Sequence, residues 1–223
     1  MKKPEDINGL IACEESQAVC IEFRKRGFNV FSCDTQDCSG GHPEWHIKDD
    51  VLKRLDDGWD FMIGHPPCTY LSYAATSVWN NPGRLRKRLK ALEFFADLWE
   101  APIEYICLEN PKGCASPTIS KFSQEIQPYY FGDTESKRTW LWLKGFPPLI
   151  HIEGDNLFEK NTHVKPKIYA YYKTGTKKGQ PIYGNDYLKF SEDRGIIRSK
   201  TFPGIARAIA EQWGDFLLKT DKS

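Results

Sequence analysis

The sequence carries almost no excess of charge. Its 31 lysines and arginines face 30 aspartates and glutamates, a formal net charge of +1. Bulk electrostatics therefore selects no partner, and any nucleic-acid surface has to come from local clustering. There is no apolar run of membrane-spanning length, and Met1-Lys2-Lys3-Pro4-Glu5-Asp6 is not followed by a signal-peptide core. The expectation is a cytoplasmic protein with no membrane partner. No CxxC pair occurs among the seven cysteines, an odd number scattered singly, which reads as reduced thiols rather than a disulfide framework. Internal repeats are absent too. What is present, 40% hydrophobic and 27% charged residues over 223 positions, suits one α/β domain, or one domain with a small appendage.

The opening residues read as a βαβ unit. Asn8 to Cys13 forms a strand, Glu14-Glu15-Ser16 a polar turn, and Ser16 caps a helix from about Gln17 to Arg26. Phe28 to Cys33 alternates as a second strand that stops at Asp34. In dinucleotide-type folds a carboxylate at that tip accepts hydrogen bonds from ribose hydroxyls. The glycine-rich fingerprint is missing. Two glutamates stand in its place, a turn that repels a pyrophosphate but tolerates a cationic or phosphate-free nucleoside. Residues 36–50 read as a loop and 51–55 as one or two helical turns, with Asp49 and Asp50 at the junction as a cap or as acceptors for an adenine amino group. Residues 84–100 form an amphipathic helix with Leu85, Leu89, Leu92, Phe95, Ala96 and Trp99 inward. An apolar strand over 103–108 ends in Glu109-Asn110-Pro111, a short helix spans 118–127, and a strand spans 139–143. Residues 150–198 are loop-rich, aromatic and lysine-rich. A closing helix runs over 205–218, with Pro203 and Gly204 at its start.

The chemistry centres on Phe61-Met62-Ile63-Gly64-His65-Pro66-Pro67-Cys68. The apolar run reads as a buried strand, and two prolines, lacking N–H and fixed in φ, stop it. Cys68 thus leaves a strand end on a stiff loop, where ligands bind in an open α/β sheet. Glu109 and Arg138 also stand at or beside strand ends. Thiolate, carboxylate and guanidinium converging on one pocket suit attack on a pyrimidine: sulfur adds to C6, the acid serves ring N3, and the arginine steadies charge on O2. Addition makes C5 nucleophilic enough to take a methyl group.

These residues resemble the cytosine-C5 DNA methyltransferases. The match runs through Gly64-His65-Pro66-Pro67-Cys68, Leu108-Glu109-Asn110-Pro111, the arginine of Lys137-Arg138-Thr139, Asp50-Val51 and the closing Pro203-Gly204-Ile205-Ala206. More narrowly, the chain resembles compact methyltransferase-like proteins of bacteriophages, which implies a phage- or mobile-element-encoded protein in a bacterial host. The resemblance implies a Rossmann-like, mostly parallel α/β fold that binds S-adenosylmethionine and acts on DNA through a covalent Cys68 adduct on a flipped base. It further implies a catalytic core over 1–149, a reduced target-recognition insertion over 150–199, and a C-terminal helix over 200–223 that completes the core. Catalysis then falls to Cys68, Glu109 and Arg138. Asp34 holds the donor's ribose and Asp50 its adenine amino group. Ala12, Cys13, Glu14 and Ser16 lie near the methionine part, and Thr35, Val51, Pro66 and Pro203 complete the donor contacts. Pro67, Thr69, Asn110, Lys165 and Lys167 face the substrate. Ala12-Cys13-Glu14-Glu15-Ser16 stands where that family carries glycines.

Other readings compete. Asp34 and Asp50 also suit helix caps. The basic run 84–90 suits either DNA phosphates or a solvated helix face, and the lysines at 165–178, interleaved with Tyr169, Tyr171 and Tyr172, are the better nucleic-acid candidate. Cys33, Cys38, His42 and His46 have a superficially zinc-like spacing, but the loop is cramped and Cys33 is needed in a strand, so no metal is expected. A cytosine-modifying enzyme acting on RNA or a free nucleotide, or using another donor, is one rival to the DNA enzyme. A nucleic-acid-binding relic without turnover is the other.

Overall fold

In the computed structural model, which describes residues 2–155, 160–184 and 201–220, alternating apolar runs build one sheet. Strand β1 (Asn8–Ala12) leads to helix α1 (Ala18–Lys25), β2 (Asn29–Asp34), β3 (His46–Lys48) and β4 (Phe61–Gly64). Helix α2 (Arg84–Glu100), β5 (Tyr105–Pro111), the single turn α3 (Ala115–Thr118), β6 (Gln124–Ile126) and β7 (Thr139–Lys144) follow. Strands β8 (Ile168–Tyr171) and β9 (Pro181–Tyr183) form a separate antiparallel pair, and α4 (Pro203–Lys219) closes the chain. The main sheet has the order β3-β2-β1-β4-β5-β7-β6, parallel except for β7, which runs against both its neighbours. This is the Rossmann-like, mostly parallel sheet expected. The chain's order reverses between β1 and β4, so the loops after those two strands open together at the carboxyl edge, where such folds bind ligands.

Side-chain alternation divides the core into two layers. Ile11, Phe61 and Ile63 face α1 and α4, with Phe23, Ile209 and Trp213 in the same cluster. Leu10, Met62 and Leu108 face α2, with Phe95, Leu98 and Trp142. Burial on both faces is why these strands read as near-continuous apolar runs. Trp213 stacks on Phe146 at 4.5 Å and donates its indole N–H to the Pro147 carbonyl, anchoring α4.

Several local expectations change. Residues 36–50 are not all loop, because β3 pairs with β2 through Ser32↔His46 and Asp34↔Lys48; three residues are too few to show a period. The helix expected over 118–127 is absent. Gln124–Ile126 pair instead with β7, and Ile126 is fully buried; long-range pairing overrides local propensity here. Strand β5 continues through Glu109 to Pro111, because β7 pairs with it to the end. Helix α2 keeps its bounds, but Leu85 and Leu89 are 62% and 56% exposed. Only its second half lies on the sheet, where Phe95 meets Trp142 edge-on at 5.0 Å. Of the 150–198 stretch, residues 156–159 and 185–198 lie outside the described residues. Among the described residues no helix is long and apolar enough to cross a membrane.

Candidate active site

The mount for Cys68 is assembled from three strand ends. His65 donates its backbone N–H to the Ala12 carbonyl at 2.9 Å, which ties the end of β4 to the turn after β1. Pro66 is buried, whereas Pro67, Cys68 and Thr69 are exposed. The buried Asn110 side chain donates to the Pro66 carbonyl at 2.7 Å. The Cys68 carbonyl accepts from the N–H groups of Leu71 (3.1 Å) and Ser72 (2.9 Å). The chain is then stitched to the segment after β5: Tyr73 N–H meets the Lys112 carbonyl and Cys114 N–H the Leu71 carbonyl. Gly113 permits that approach, since a Cβ there would lie 2.3 Å from the Leu71 carbonyl oxygen. Asn110, expected to face substrate, thus has its amide nitrogen committed to bracing the cysteine loop.

Glu109 sits on β5 opposite Leu141, with its side chain 11% exposed. His65 Nδ1 lies 2.9 Å from Oε2, and Lys137 Nζ lies 3.4 Å from Oε1. Arg138, expected at this carboxylate, instead pairs with Glu125 at 3.2 Å and is 58% exposed. Successive residues of an extended chain project to opposite sides, so only one member of Lys137-Arg138 can face Glu109. Burial works against the Glu109 charge. The Lys137 ammonium and the His65 hydrogen bond outweigh it and bring the carboxyl down to about 2. His65 shows the converse balance: burial lowers its pKa, but the hydrogen bond and charge of Glu109, aided by the Glu14 charge, raise it overall. Its Nε2 is buried and has no hydrogen-bond partner among the described residues. Phe202, just before α4, lies with its ring 5.9 Å from Lys137 Nζ, so the lead-in to Pro203 borders this cluster.

On the other side of the switch point, Cys13 takes a left-handed φ of 59° and Gln17 one of 58°. The turn adopts a glycine-like backbone without glycine, at a cost of about 1–2 kcal/mol per residue. Gln17 recovers part of this by pairing its buried amide with both the N–H and the carbonyl of His42. Ser16 does not cap α1. Glu14 does so from below: its buried carboxylate accepts from Val19 N–H (2.7 Å) and Cys20 N–H (3.2 Å). Burial pushes that acid up to about 7. Asp34 accepts from Gln36 N–H and Asp50 caps the turn Val51–Arg54 through Leu52 N–H, each through Oδ1. Both carboxylates bear on the Cys13 thiol, which burial and their charge push far above its ordinary value. Cys13, Asp34 and Asp50 are therefore neighbours. Val51 is buried beside them in sequence, and Thr35 is exposed. Asp49 is occupied by Arg54 and Lys53.

The basic start of α2 comes to the cysteine loop. Arg84 and Lys87 lie 4.9 and 5.5 Å from the Tyr70 ring, Arg88 lies 3.4 Å from that of Trp79, and Arg84 donates to the Thr69 carbonyl. Lys165 and Lys167 are exposed beside the β8–β9 pair, with Lys167 over Tyr169. Of the zinc-like set, Cys33 donates to the Asp49 carbonyl and His46 is held by Ser32 and Gln36. Among the described residues no group of three or more His, Cys, Asp or Glu is placed to hold a metal ion. Sequence reasoning missed His65 and Lys137 as partners of Glu109. Their only signals were position, His65 beside the Pro66-Pro67 turn and Lys137 beside Arg138.

No family model matches the chain, and no curated protein does. Among solved structures it is similar to the Entamoeba histolytica methyltransferase EhMeth (14% identity, TM-score 0.47, covering 74% of this chain and 58% of that one). It is also similar to the S. pombe Dnmt2 methyltransferase (15%, 0.39, 64% and 50%). A third is an E. coli prophage-encoded protein described as a DNA modification methyltransferase (12%, 0.41, 61% and 46%). The chain spans about half the length of these structures. The fold rests on strand order: this is a Rossmann-like α/β chain with a reversed β7, and each of these three solved structures is described as a methyltransferase.

Proposed function

We propose that this chain is an S-adenosylmethionine-dependent methyltransferase acting on cytosine C5 in DNA through a covalent Cys68 adduct. The observation that supports it most is the bracing of the exposed Cys68 loop to Glu109-Asn110, through Asn110 to Pro66 and His65 to Glu109. Nucleophile and acid are thereby held on one rigid frame, as addition to a ring requires. The donor side fits as well. The cluster of Cys13, Asp34 and Asp50 is acidic and lacks a pyrophosphate cradle, which suits a nucleoside carrying a cationic sulfonium. Such a donor, when bound, supplies an electrophilic methyl group. In this reading Asp34 receives ribose hydroxyls, Asp50 an adenine amino group, and Glu14 shapes the turn from beneath. Cys68 adds to C6, Glu109 serves ring N3, and Lys137 rather than Arg138 is the cation beside that acid. In this reading Tyr70 and Trp79, each beside a cation, offer ring faces for bases of a strand from which one base is turned out.

The test is transfer of tritiated methyl to duplex DNA, RNA and dCMP by wild type and Cys68→Ser. Transfer to DNA that is lost in the variant, with a denaturation-resistant adduct on 5-fluorocytosine DNA, is the expected result. Unchanged transfer in Cys68→Ser removes the mechanism, and preference for RNA or dCMP moves the substrate. Calorimetry with the donor separates a relic, which would bind DNA tightly and the donor not at all.

A further inference from the structure

Glu109 poses a chemical conflict. Sulfur addition at C6 drives an electron pair onto ring N3, which must take a proton. Yet the Lys137 ammonium and the His65 hydrogen bond hold this carboxyl well below the ordinary carboxylate range, so at pH 7 it is ionised and has no proton of its own to give. The nearest group able to supply one is His65, whose Nδ1 is 2.9 Å from Glu109 Oε2.

The surroundings of His65 support that role. Its side chain is 10% exposed and its Nε2 is buried without a partner among the described residues, so the ring does not exchange its Glu109 bond for water. Its backbone is fixed by the hydrogen bond to Ala12. The titratable groups around the pair are Glu14 from the turn after β1, Glu109 from β5 and Lys137 from the stretch before β7. Cys107, two residues before Glu109 on β5, is a buried thiol whose pKa is raised by burial and by the Glu109 charge, so it stays neutral. Two acids thus face the imidazole and one ammonium opposes them. That balance raises its pKa above the ordinary 6.5 despite burial.

We infer that His65 is the positioning residue and proton store of this site, aiming Glu109 at the base and replacing the proton that Glu109 gives to ring N3. The inference rests on the cytosine reading above. As the Sγ–C6 bond forms, the C5=C6 π pair shifts to C4–C5 and the C4=N3 π pair moves onto N3. N3 takes a proton from the Glu109 carboxyl, which takes one from His65 Nδ1. His65 ends neutral, Glu109 is unchanged in charge, and the thiolate's charge is cancelled in the adduct. When the adduct collapses and the thiolate leaves, the N3 proton returns to the pair.

Two measurements on the full chain test this. In ¹⁵N-histidine NMR, with the His65 signals assigned by their loss in His65→Asn or His65→Gln, the midpoint should lie above 6.5 and fall by at least one pH unit in Glu109→Gln. In single-turnover methyl transfer to a cytosine oligonucleotide, wild type should lose rate on the alkaline side with that same midpoint. His65→Asn can still donate to Glu109 but holds no titratable proton. It should be slower by about 10²-fold or more, without that limb, while oligonucleotide affinity changes less than about threefold. A His65→Asn rate and profile like wild type, or a His65 midpoint indifferent to Glu109→Gln, overturns the inference. A wild type that transfers no methyl group at any pH overturns the functional reading instead, and the NMR arm then still reports whether His65 and Glu109 share their proton.

Discussion

Replacing Glu14 by glutamine should change the sign of its effect on stability between acid and alkaline solution. Burial lifts the Glu14 carboxyl from 4.5 to about 7. For a group whose folded pKa is raised, the stabilising contribution is complete below the unfolded value and is lost as pH climbs through the folded one. At 1.36 kcal/mol per pH unit, that rise makes ionised Glu14 about 3 kcal/mol less favourable above pH 7 than the neutral acid below pH 4.5. Glutamine avoids this cost, but its single oxygen can serve only one of Val19 and Cys20, and its NH₂ group confronts the other N–H. Leaving one buried N–H unmet costs about 1–2 kcal/mol at every pH. Glu14→Gln should therefore be less stable than wild type by at most about 1 kcal/mol at pH 5, where the unfolded carboxyl is already mostly ionised, and more stable by about 1–2 kcal/mol at pH 8.5. Urea unfolding followed by circular dichroism at pH 5, 7 and 8.5 reads this directly, with equal m-values as the check that only the native state has changed. A difference between the proteins that keeps one sign and size across the series would refute the reasoning. Because the charge on His65 lowers the Glu14 pKa, the same series in a His65→Asn background should enlarge glutamine's advantage on the alkaline side and leave its acid-side deficit unchanged.

Glu109 titrates in the opposite sense. Its pKa is depressed from 4.5 to about 2, so its stabilisation, about 3 kcal/mol, is present above pH 4.5 and lost as pH falls toward 2; Glu109→Gln should abolish that loss in acid-unfolding curves. Lys137→Met should cost about 3 kcal/mol by stripping a buried carboxylate of its ammonium, whereas Arg138→Ala should cost under about 1 kcal/mol in the same urea assay. Equal effects would refute the assignment of Lys137 over Arg138. Gly113→Ala forces a methyl group onto the Leu71 carbonyl and should destabilise by about 1–3 kcal/mol while slowing methyl transfer about 10²-fold through displacement of the Cys68 loop. A variant with wild-type melting and rate would show that the loop is not braced there.

Fold class was legible because its cause is local and repeated. The runs around Leu10-Ile11, Val30 and Met62-Ile63 are apolar on both faces, as parallel strands covered on two sides must be, and α1, α2 and α4 carry a helical period. Short elements were not legible. A three-residue strand such as β3 or β6 has no period, and its stability lies in hydrogen bonds to a neighbour distant in sequence. Pattern also misjudged where α2 meets the sheet: Leu85 and Leu89 keep the period of Phe95 but are exposed, whereas Phe95 and Leu98 are buried.

The sequence by itself determined that a cysteine leaves a proline-stiffened strand end and that an acid ends another strand, because proline geometry and strand termination are properties of a few adjacent residues. It could not determine which cation meets Glu109, what covers the start of α1, or that His65 stands between two acids. Those outcomes depend on pairing register and on burial. The course of the chain into β7 decides that Lys137 meets Glu109 while Arg138 meets Glu125, and burial converts Glu14, an ordinary acid in the sequence, into a group that titrates near neutrality. A one-residue change of register exchanges the two faces of a strand, and neither register nor depth is written in any short stretch of chain.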